Sequence, residues 1–341
     1  MAQINKPELH FNTKLYTGNG STNAITGVGF QPDFTWIKKR DGGTTQHQLF
    51  DAVRGVTKRL FSDSTEEEST SATTLTAFGA DGFTVGSNTG VNDNSQNHVS
   101  WNWKANGAGS ANSDGTISTS VSANTTSGFS IMTYTGTGSA GTIGHGLGAK
   151  PDAWFVKARS EVRAWYGWHK SMPLGDVWNL NSDGNKSTDT SLFTSSAPTT
   201  SVINLGTSVG TNNNGITFVC YAFAEKKGFS KFGSYEGNAN ADGTFVYTGF
   251  KPAFVMIKHL GSSNWTINDT GRDPTNVNNL RLFPNQNVAE SSGSNSMDML
   301  SNGFKLRSTD GGNNGSGDSY NYFAFAEEPL VGTNNVPGVA R

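Results

Sequence analysis

The sequence predicts an all-β protein made of three tandem β-sandwich modules, jelly-roll-like and related by an internal repeat. Two observations predict this. Glycine accounts for 42 of 341 residues, while hydrophobic residues make up 34% and charged residues 15%, a composition typical of short strands joined by many turns. In addition, one ordered set of landmark residues recurs three times along the chain.

Each copy opens with a tyrosine before a small-residue turn. It continues with a proline that leads an apolar run ending in lysine, and it closes with two aromatic residues two positions apart. The spacing from tyrosine to proline is 16, 17 and 17 residues, and that from proline to the second closing aromatic is 71, 72 and 73. The landmarks of the three copies are Tyr16, Pro32, Lys38 and Trp101/Trp103; Tyr134, Pro151, Lys157 and Tyr221/Phe223; and Tyr235, Pro252, Lys258 and Phe323/Phe325.

The residues around the landmarks favour strands. Proline has no N–H to donate to a sheet, so we expect each landmark proline at the first residue of a strand. The closing aromatics have the period of two that places side chains on one face of a strand. The best helical pattern, over 49–60, contains Gly55 and predicts only a short helix.

The landmarks set the domain boundaries. We predict an N-terminal arm (1–10), module one (11–105), a low-complexity linker (106–127), module two (128–226), module three (227–329) and a C-terminal tail (330–341). The stretch 106–127 also fits an irregular sheet edge. Modules two and three meet with almost no intervening chain, so we expect them to pack together, and an elongated array fits the composition best.

Charge and cysteine content exclude several classes of protein. A net charge of −2 argues against nucleic-acid binding, and no apolar run approaches the roughly 18 residues of a membrane span. The single cysteine, Cys220, lies in an apolar run, which predicts a buried thiol and folding in a reducing cytoplasm.

Candidate catalytic chemistry is sparse. No nucleophile elbow precedes a helix, no metal-ligand set has suitable spacing, and we expect neither enzymatic activity nor a cofactor. Acidic residues at 66–68 and at Glu290 lie in polar loops, where we expect solvated side chains.

Two charged pairs occupy matching places in the repeat. Asp51 and Arg54 follow the landmark proline of module one, and Asp269 and Arg272 follow that of module three, with the same Asp-x-x-Arg spacing. Module two has His169 there instead. A structural Asp–Arg clamp is the favoured interpretation, and ligand binding is the alternative.

An aromatic cluster in module two is the candidate glycan-binding site. It comprises Trp165, Tyr166, Trp168 and His169, and flat rings in a loop can stack on sugar faces. Module three has Trp265 at the equivalent place, so part of the cluster is also explained as core.

Several segments resemble a repeat found in virion structural proteins of tailed phages, especially marine and cyanobacterial phages. The segments that carry this resemblance are 4–7, 11–20, 29–33, 49–55, 228–235, 300–307 and 323–327.

The resemblance implies a non-enzymatic virion structural protein, made in the host cytoplasm and exposed on the capsid or tail. Such a component would be a decoration or tail-fibre-like adhesion protein that contacts other virion proteins and host-surface polysaccharide, and a homotrimer is one assembly that it allows. The alternatives are a polysaccharide-degrading tailspike and a carbohydrate-binding module of a cellular enzyme. The sequence leaves open whether the three modules form a closed disc or an extended array.

Overall fold

The computed structural model describes residues 3–332, 334 and 337, so most of the expected C-terminal tail (330–341) lies outside the described residues. The all-β prediction is confirmed. The arm at the N-terminus contains one 3₁₀ turn, Pro7–Leu9. Its Ile4 is buried and donates its backbone N–H to the Lys227 carbonyl at 3.0 Å, so the arm packs on the start of module three.

Strands dominate all three modules, and each module adds one four-residue helix. Module one contains β1 (Phe11–Thr17), β2 (Asn23–Thr26), β3 (Phe34–Lys39), β4 (Gln48–Asp51), β5 (Lys58–Phe61), β6 (Ser69–Thr70), β7 (Leu75–Gly79), β8 (Gly82–Val85), α1 (Thr89–Asn92) and β9 (Asn97–Trp103). The second part of the chain contains β10 (Ser110–Asn112), β11 (Thr119–Asn124), β12 (Phe129–Thr135), β13 (Gly141–Gly144), β14 (Ala153–Ala158), β15 (Trp165–His169), β16 (Asp176–Asn179), β17 (Ser187–Thr188), β18 (Val202–Leu205), α2 (Val209–Asn212) and β19 (Thr217–Phe223). Module three contains β20 (Ser230–Glu236), β21 (Phe245–Tyr247), β22 (Phe250–His259), β23 (Thr266–Asp269), β24 (Asn278–Arg281), β25 (Ser291–Leu300), β26 (Gly303–Leu306), α3 (Gly311–Asn314) and β27 (Ser319–Pro329).

Three of the sheets share one strand order. The strand with the closing aromatics lies between a neighbouring strand earlier in its module and the strand at the landmark proline: β1-β9-β3, β12-β19-β14 and β20-β27-β22. A second sheet opposes each of them, with orders β2-β8-β7, β13-β18 and β21-β26-β25-β24. In module one, Ile25, Phe83 and Phe50 of the two sheets join one buried apolar cluster, as expected of a two-sheet sandwich.

Contrary to expectation, none of the landmark prolines is the first residue of a strand, although two of them lie just before corresponding strands. Pro32 and Pro151 stand two positions before β3 and β14. Pro252 departs from the expectation, because it lies inside β22 at a shift of the pairing register with β27. A bulge accommodates a residue without an N–H, which is how proline is tolerated within a strand.

The stretch 106–127 is not a free linker. It contains β10 and β11, which pair antiparallel and continue through β12 into the main sheet of module two. The polar composition reflects an edge of that sheet, where side chains face solvent, as the alternative interpretation predicted.

The expected short helix over 49–60 is also wrong, because strands β4 and β5 take up its two ends. The helices lie elsewhere, and each ends in a buried asparagine: Asn92, Asn212 and Asn314. The opening tyrosine of each module donates its hydroxyl to a carbonyl of this helix at 2.6 Å, namely Val91, Thr211 and Asn313. The tyrosine landmark therefore anchors the helix to the first strand.

The three modules share a core and do not form the elongated array that composition favoured. Phe34 of module one lies 4.5 Å from Tyr221 of module two, between ring centroids. Phe223 of module two lies 5.9 Å from Phe325 of module three, which in turn stacks on Phe11 of module one at 5.3 Å. These contacts close a ring of modules around one aromatic cluster, which leaves only a small apolar cavity of about 30 Å³. The expected packing of modules two and three is thus confirmed.

Candidate functional site

The two Asp–Arg pairs are buried clamps. Arg54 donates its backbone N–H to Asp51 at 2.8 Å, and its guanidinium also pairs with the Asp51 carboxylate. Arg272 repeats the arrangement with Asp269, at 2.8 Å from the backbone and 2.5 Å from Nε. All four side chains are fully buried, so a ligand could not reach these carboxylates without unfolding the loop.

Each clamp extends into the next module through a glutamate. Glu68 accepts from Arg54 at 3.1 Å and from Arg159 of module two at 2.9 Å. Glu290 accepts from Arg272 at 2.8 Å and from Arg40 of module one at 2.7 Å. The expectation of solvated loop acids is wrong for these two residues, because the shape of the closed ring brings an arginine of another module to each.

The electrostatic balance keeps both glutamates charged. Burial alone would raise their pKa, but hydrogen bonds and charge from the two flanking arginines lower the pKa of Glu68 and of Glu290. The sequence offered one usable signal, since Arg40 and Arg159 both stand eight residues after a landmark proline. Without the closed ring, that spacing alone could not reveal the partner.

In module two, the neutral side chain of His169 occupies the place that an Asp–Arg clamp occupies in the other two modules. His169 Nδ1 accepts the Ser171 N–H at 3.1 Å, so its Nε2 carries the proton and donates to the Tyr322 carbonyl of module three at 3.2 Å. The Phe323 ring packs edge-on against His169 at 5.2 Å. This apolar setting lowers the pKa of His169 to about 3 through burial. His169 therefore performs the same linking role as the clamps without charge.

The aromatic cluster of module two is core, and the expected glycan platform on it is wrong. Trp165, Trp168 and His169 belong to β15, an inner strand between β14 and β16, and all three are buried. Trp165 donates its indole N–H to the Phe61 carbonyl of module one at 2.7 Å. Trp168 stacks on Trp154 at 4.5 Å. Neither indole offers a free face to a sugar.

Tyr166, the fourth member of the cluster, is half-buried and shares the face of β15 that carries Trp168. Its ring packs against Gly210 of α2, where a Cβ atom would lie only 2.6 Å from Tyr166 Cε2. The ring is thus occupied by the fold of its own module. The shared core explains the surplus of aromatic residues seen in the sequence, because a core shared by three modules takes more aromatic rings than one small module needs.

The landmark lysines have a role that the repeat pattern alone did not indicate. Lys38, Lys157 and Lys258 are fully buried at the ends of β3, β14 and β22. Each ammonium group contacts a carbonyl of the preceding module in the ring: Asn287 at 3.2 Å, Thr65 at 3.3 Å and Asp183 at 3.4 Å, respectively. Burial lowers the pKa of all three lysines to about 8.

An exposed aromatic pair lies on module three. All 21 Phe, 8 Trp and 8 Tyr of the chain fall within the described residues, and only Phe245 and Tyr247 are exposed, at 44% and 58%. Both belong to edge strand β21, whose alternation turns Val246 inward and the two rings outward. The pairing registers give the sister positions in the other modules, which hold Ala24 and Thr26, and Thr142 and Gly144.

A groove of about 580 Å³ has Tyr247 in its lining. Four lysines and two carboxylates line it: Lys170, Lys226, Lys227, Lys231, Asp152 and Glu225. The groove lies where the end of module two meets the start of module three, and it therefore exists only because these modules pack together. Of the sites described, it best combines access from solvent with side chains that can bind a ligand.

Ion pairs order the walls of this groove. Glu225 accepts from Lys231 at 2.9 Å and also pairs with Lys170, which lies 3.3 Å from Asp152. Although burial opposes it, these lysines lower the pKa of Glu225. The lysines hold Glu225 as an anion, so it suits binding better than proton donation.

A family model matches residues 6–329, nearly the whole chain. The chain belongs to the DUF7483 family. That family is described as a domain of unknown function, and a search of curated proteins found no match. The match covers the clamps, the buried lysines and the groove together, so the DUF7483 unit spans all three modules and not one of them.

Among the described residues, no group of three or more His, Cys, Asp or Glu side chains is arranged to hold a metal ion. Within the same part of the chain, no helix has the length and apolar character that a membrane span requires.

Proposed function

We propose that the protein is a non-enzymatic virion structural component of a tailed phage, exposed on the capsid or tail and able to adhere to host-surface glycan. The resemblance of its repeat to virion proteins supports the location. The observation that carries the adhesive role is the exposure of Phe245 and Tyr247 on a chain that buries or half-buries every other aromatic ring. Exposed rings on an ordered strand mark interaction sites.

The ring-like core supports this role physically. Clamps, buried lysines and shared aromatics join modules whose residues are more than a hundred positions apart, and they do so without disulfides, since the single cysteine is buried and unpaired. An adhesion protein must hold its binding surface rigid outside the cell. The core provides that rigidity from packing, ion pairs and hydrogen bonds.

Immunogold labelling of intact particles with an antibody against the chain tests the location. We expect labelled capsids or tails. Unlabelled particles from lysates that contain the protein would contradict a virion role. Adsorption of the purified protein to host cells then tests adhesion, with the double variant Phe245→Ala/Tyr247→Ala expected to lose binding and Thr26→Ala, at a sister position on β2, expected to retain it.

The alternative, a polysaccharide-degrading tailspike, has one observation in its favour. Burial raises the pKa of Asp63 to about 7, as a general acid requires, and the carboxyl lines an open groove with Gln46 and Gln286. Asp63 also accepts the His47 backbone N–H at 3.2 Å, which gives it a structural role. Depolymerisation of host polysaccharide that is lost in Asp63→Asn would favour the tailspike, and no depolymerisation by the wild type would favour the binding protein.

A further inference from the structure

The groove beside Tyr247 carries a positive charge on a chain of negative net charge. Its lining has four lysines against two carboxylates, a net of +2, whereas the whole chain has a net charge of −2. Lys227 is exposed and makes no ion pair within the described part of the chain. The local field therefore favours a ligand with negative groups.

The shape and chemistry of the groove fit a saccharide. The Tyr247 ring in its lining supplies a flat apolar face, while the lysine ammonium groups and carboxylates of the lining supply hydrogen-bond donors and acceptors. A chain of sugar rings presents the same mixture of apolar faces and polar edges. Phe245, two residues before Tyr247 and on the same side of β21, extends the flat surface beyond the groove.

The backbone after Tyr247 is ordered by hydrogen bonds. After Tyr247 the chain turns through Thr248 and Gly249, whose φ of +83° is a conformation that favours glycine. The Thr248 backbone N–H donates to Asn302 at 3.0 Å, and the Thr248 hydroxyl donates to the Phe250 carbonyl at 2.7 Å. A ring on such a turn needs little ordering when a ligand binds.

A second copy of the chain fits this surface less well. A stable interface covers about 800 Å² on each partner and has an apolar centre. Here two rings stand beside lysines and carboxylates, which would need desolvation in a protein interface. A hydrated, charged saccharide leaves these groups partly in water.

We infer that the groove lined by Tyr247, Lys170, Lys227 and Lys231 binds an anionic saccharide, with a sugar ring on Tyr247 and carboxylate or sulfate groups at the lysines. The inference rests on the proposed adhesive function and adds the site and the ligand class. It predicts that affinity depends on both stacking and charge, which fall on different residues and respond differently to salt.

Binding of the full-length protein to oligogalacturonate and to dextran sulfate, measured by isothermal titration calorimetry, tests the inference. Methyl-esterified oligogalacturonate is the matched neutral ligand, since it keeps the sugar rings and removes the charge. We expect binding to at least one of the two anionic probes, at least tenfold weaker binding to the neutral ester if oligogalacturonate binds, and weakening as salt rises.

Variants separate the contribution of ring stacking to affinity from that of charge. Tyr247→Ala is expected to weaken binding at least tenfold, whereas Tyr247→Phe keeps the ring and most of the affinity. Lys227→Gln is expected to weaken binding severalfold and to reduce its salt dependence. Thr26→Ala serves as the control, and unchanged circular dichroism verifies that each variant folds.

Equal affinity for the anionic oligogalacturonate and its neutral ester, absence of binding to both anionic probes, or full affinity in Tyr247→Ala would overturn the inference. A change of sedimentation coefficient in Tyr247→Ala without loss of saccharide binding would instead assign the surface to a second copy. Immunogold labelling remains an independent readout: labelled particles with no anionic binding would reject this site while leaving the virion role standing.

Discussion

Trp101 donates its indole N–H to the Asp269 carboxylate at 3.0 Å, although 168 positions separate the two residues. The same relationship recurs between Tyr221, whose hydroxyl donates at 2.7 Å, and Asp51. In both cases the aspartate of one module accepts a hydrogen bond from a closing aromatic residue of another. These contacts show how the third module returns to the first, so that the chain closes on itself.

Removing one partner of a clamp should be costly. We expect Arg272→Met to destabilise the protein by about 3–5 kcal/mol, because Asp269 would remain buried without its cation and Glu290 would keep only Arg40. The double variant Asp269→Asn/Arg272→Met should cost less than the sum of its two single variants. Arg163→Met, at a partly exposed pair with Glu161, is the control and should change stability by less than about 1 kcal/mol. Urea denaturation measures all four, and a full additive loss in the double variant would contradict the coupling.

Truncating the shared aromatics should destabilise the whole chain at once. Trp103→Ala, Phe223→Ala and Phe325→Ala are each expected to cost about 3–5 kcal/mol, since all three rings are buried in one cluster. Far-ultraviolet circular dichroism and tryptophan fluorescence should report one coincident unfolding transition. Separate transitions for the modules, or losses below about 1 kcal/mol, would show that the cluster does not join them.

His169 should make the protein sensitive to acid. Its pKa is lowered to about 3 in the folded chain by burial, whereas an unfolded histidine titrates near pH 6.5. Between these values the unfolded state binds the extra proton, so this residue's contribution to stability falls as pH falls from about 6.5 towards 3. His169→Gln keeps a side-chain donor and does not titrate. Its free energy of unfolding should therefore depend less on pH between 6.5 and 4 than that of the wild type, and parallel curves would contradict this.

The buried lysines should make the stability of the protein depend on pH in the alkaline range. Burial lowers the pKa of Lys258 to about 8, while the unfolded value is about 10.5. Between these values the unfolded state holds more protons, so the contribution of Lys258 to stability rises as pH rises from about 8 to 10.5. Lys258→Met should remove that part of the pH dependence, and Lys150→Met, at an exposed position, should not. Thermal unfolding from pH 7 to 10 compares the three proteins, and identical slopes for wild type and Lys258→Met would count against the argument.

Local pattern was enough for the fold class and for the clamps. The alternation Trp101/Trp103, the turn glycines and the landmark spacings depend on residues close in sequence, and the Asp51–Arg54 pair is local because its members are three residues apart. The landmark proline lies just before a strand in two modules, whereas Pro252 lies within β22, because a bulge depends on the register with the partner strand β27.

By itself, then, the sequence determined an all-β chain with three sets of landmarks, a buried thiol at Cys220 and Asp–Arg pairs at Asp51 and Asp269. Only the tertiary structure decided that Trp165 and Trp168 are core while Phe245 and Tyr247 face solvent. The physical reason is that a side chain is buried only when a second surface covers it. For Trp165 that surface includes another module, whose residues lie far away along the chain, and no local sequence pattern encodes how the modules pack.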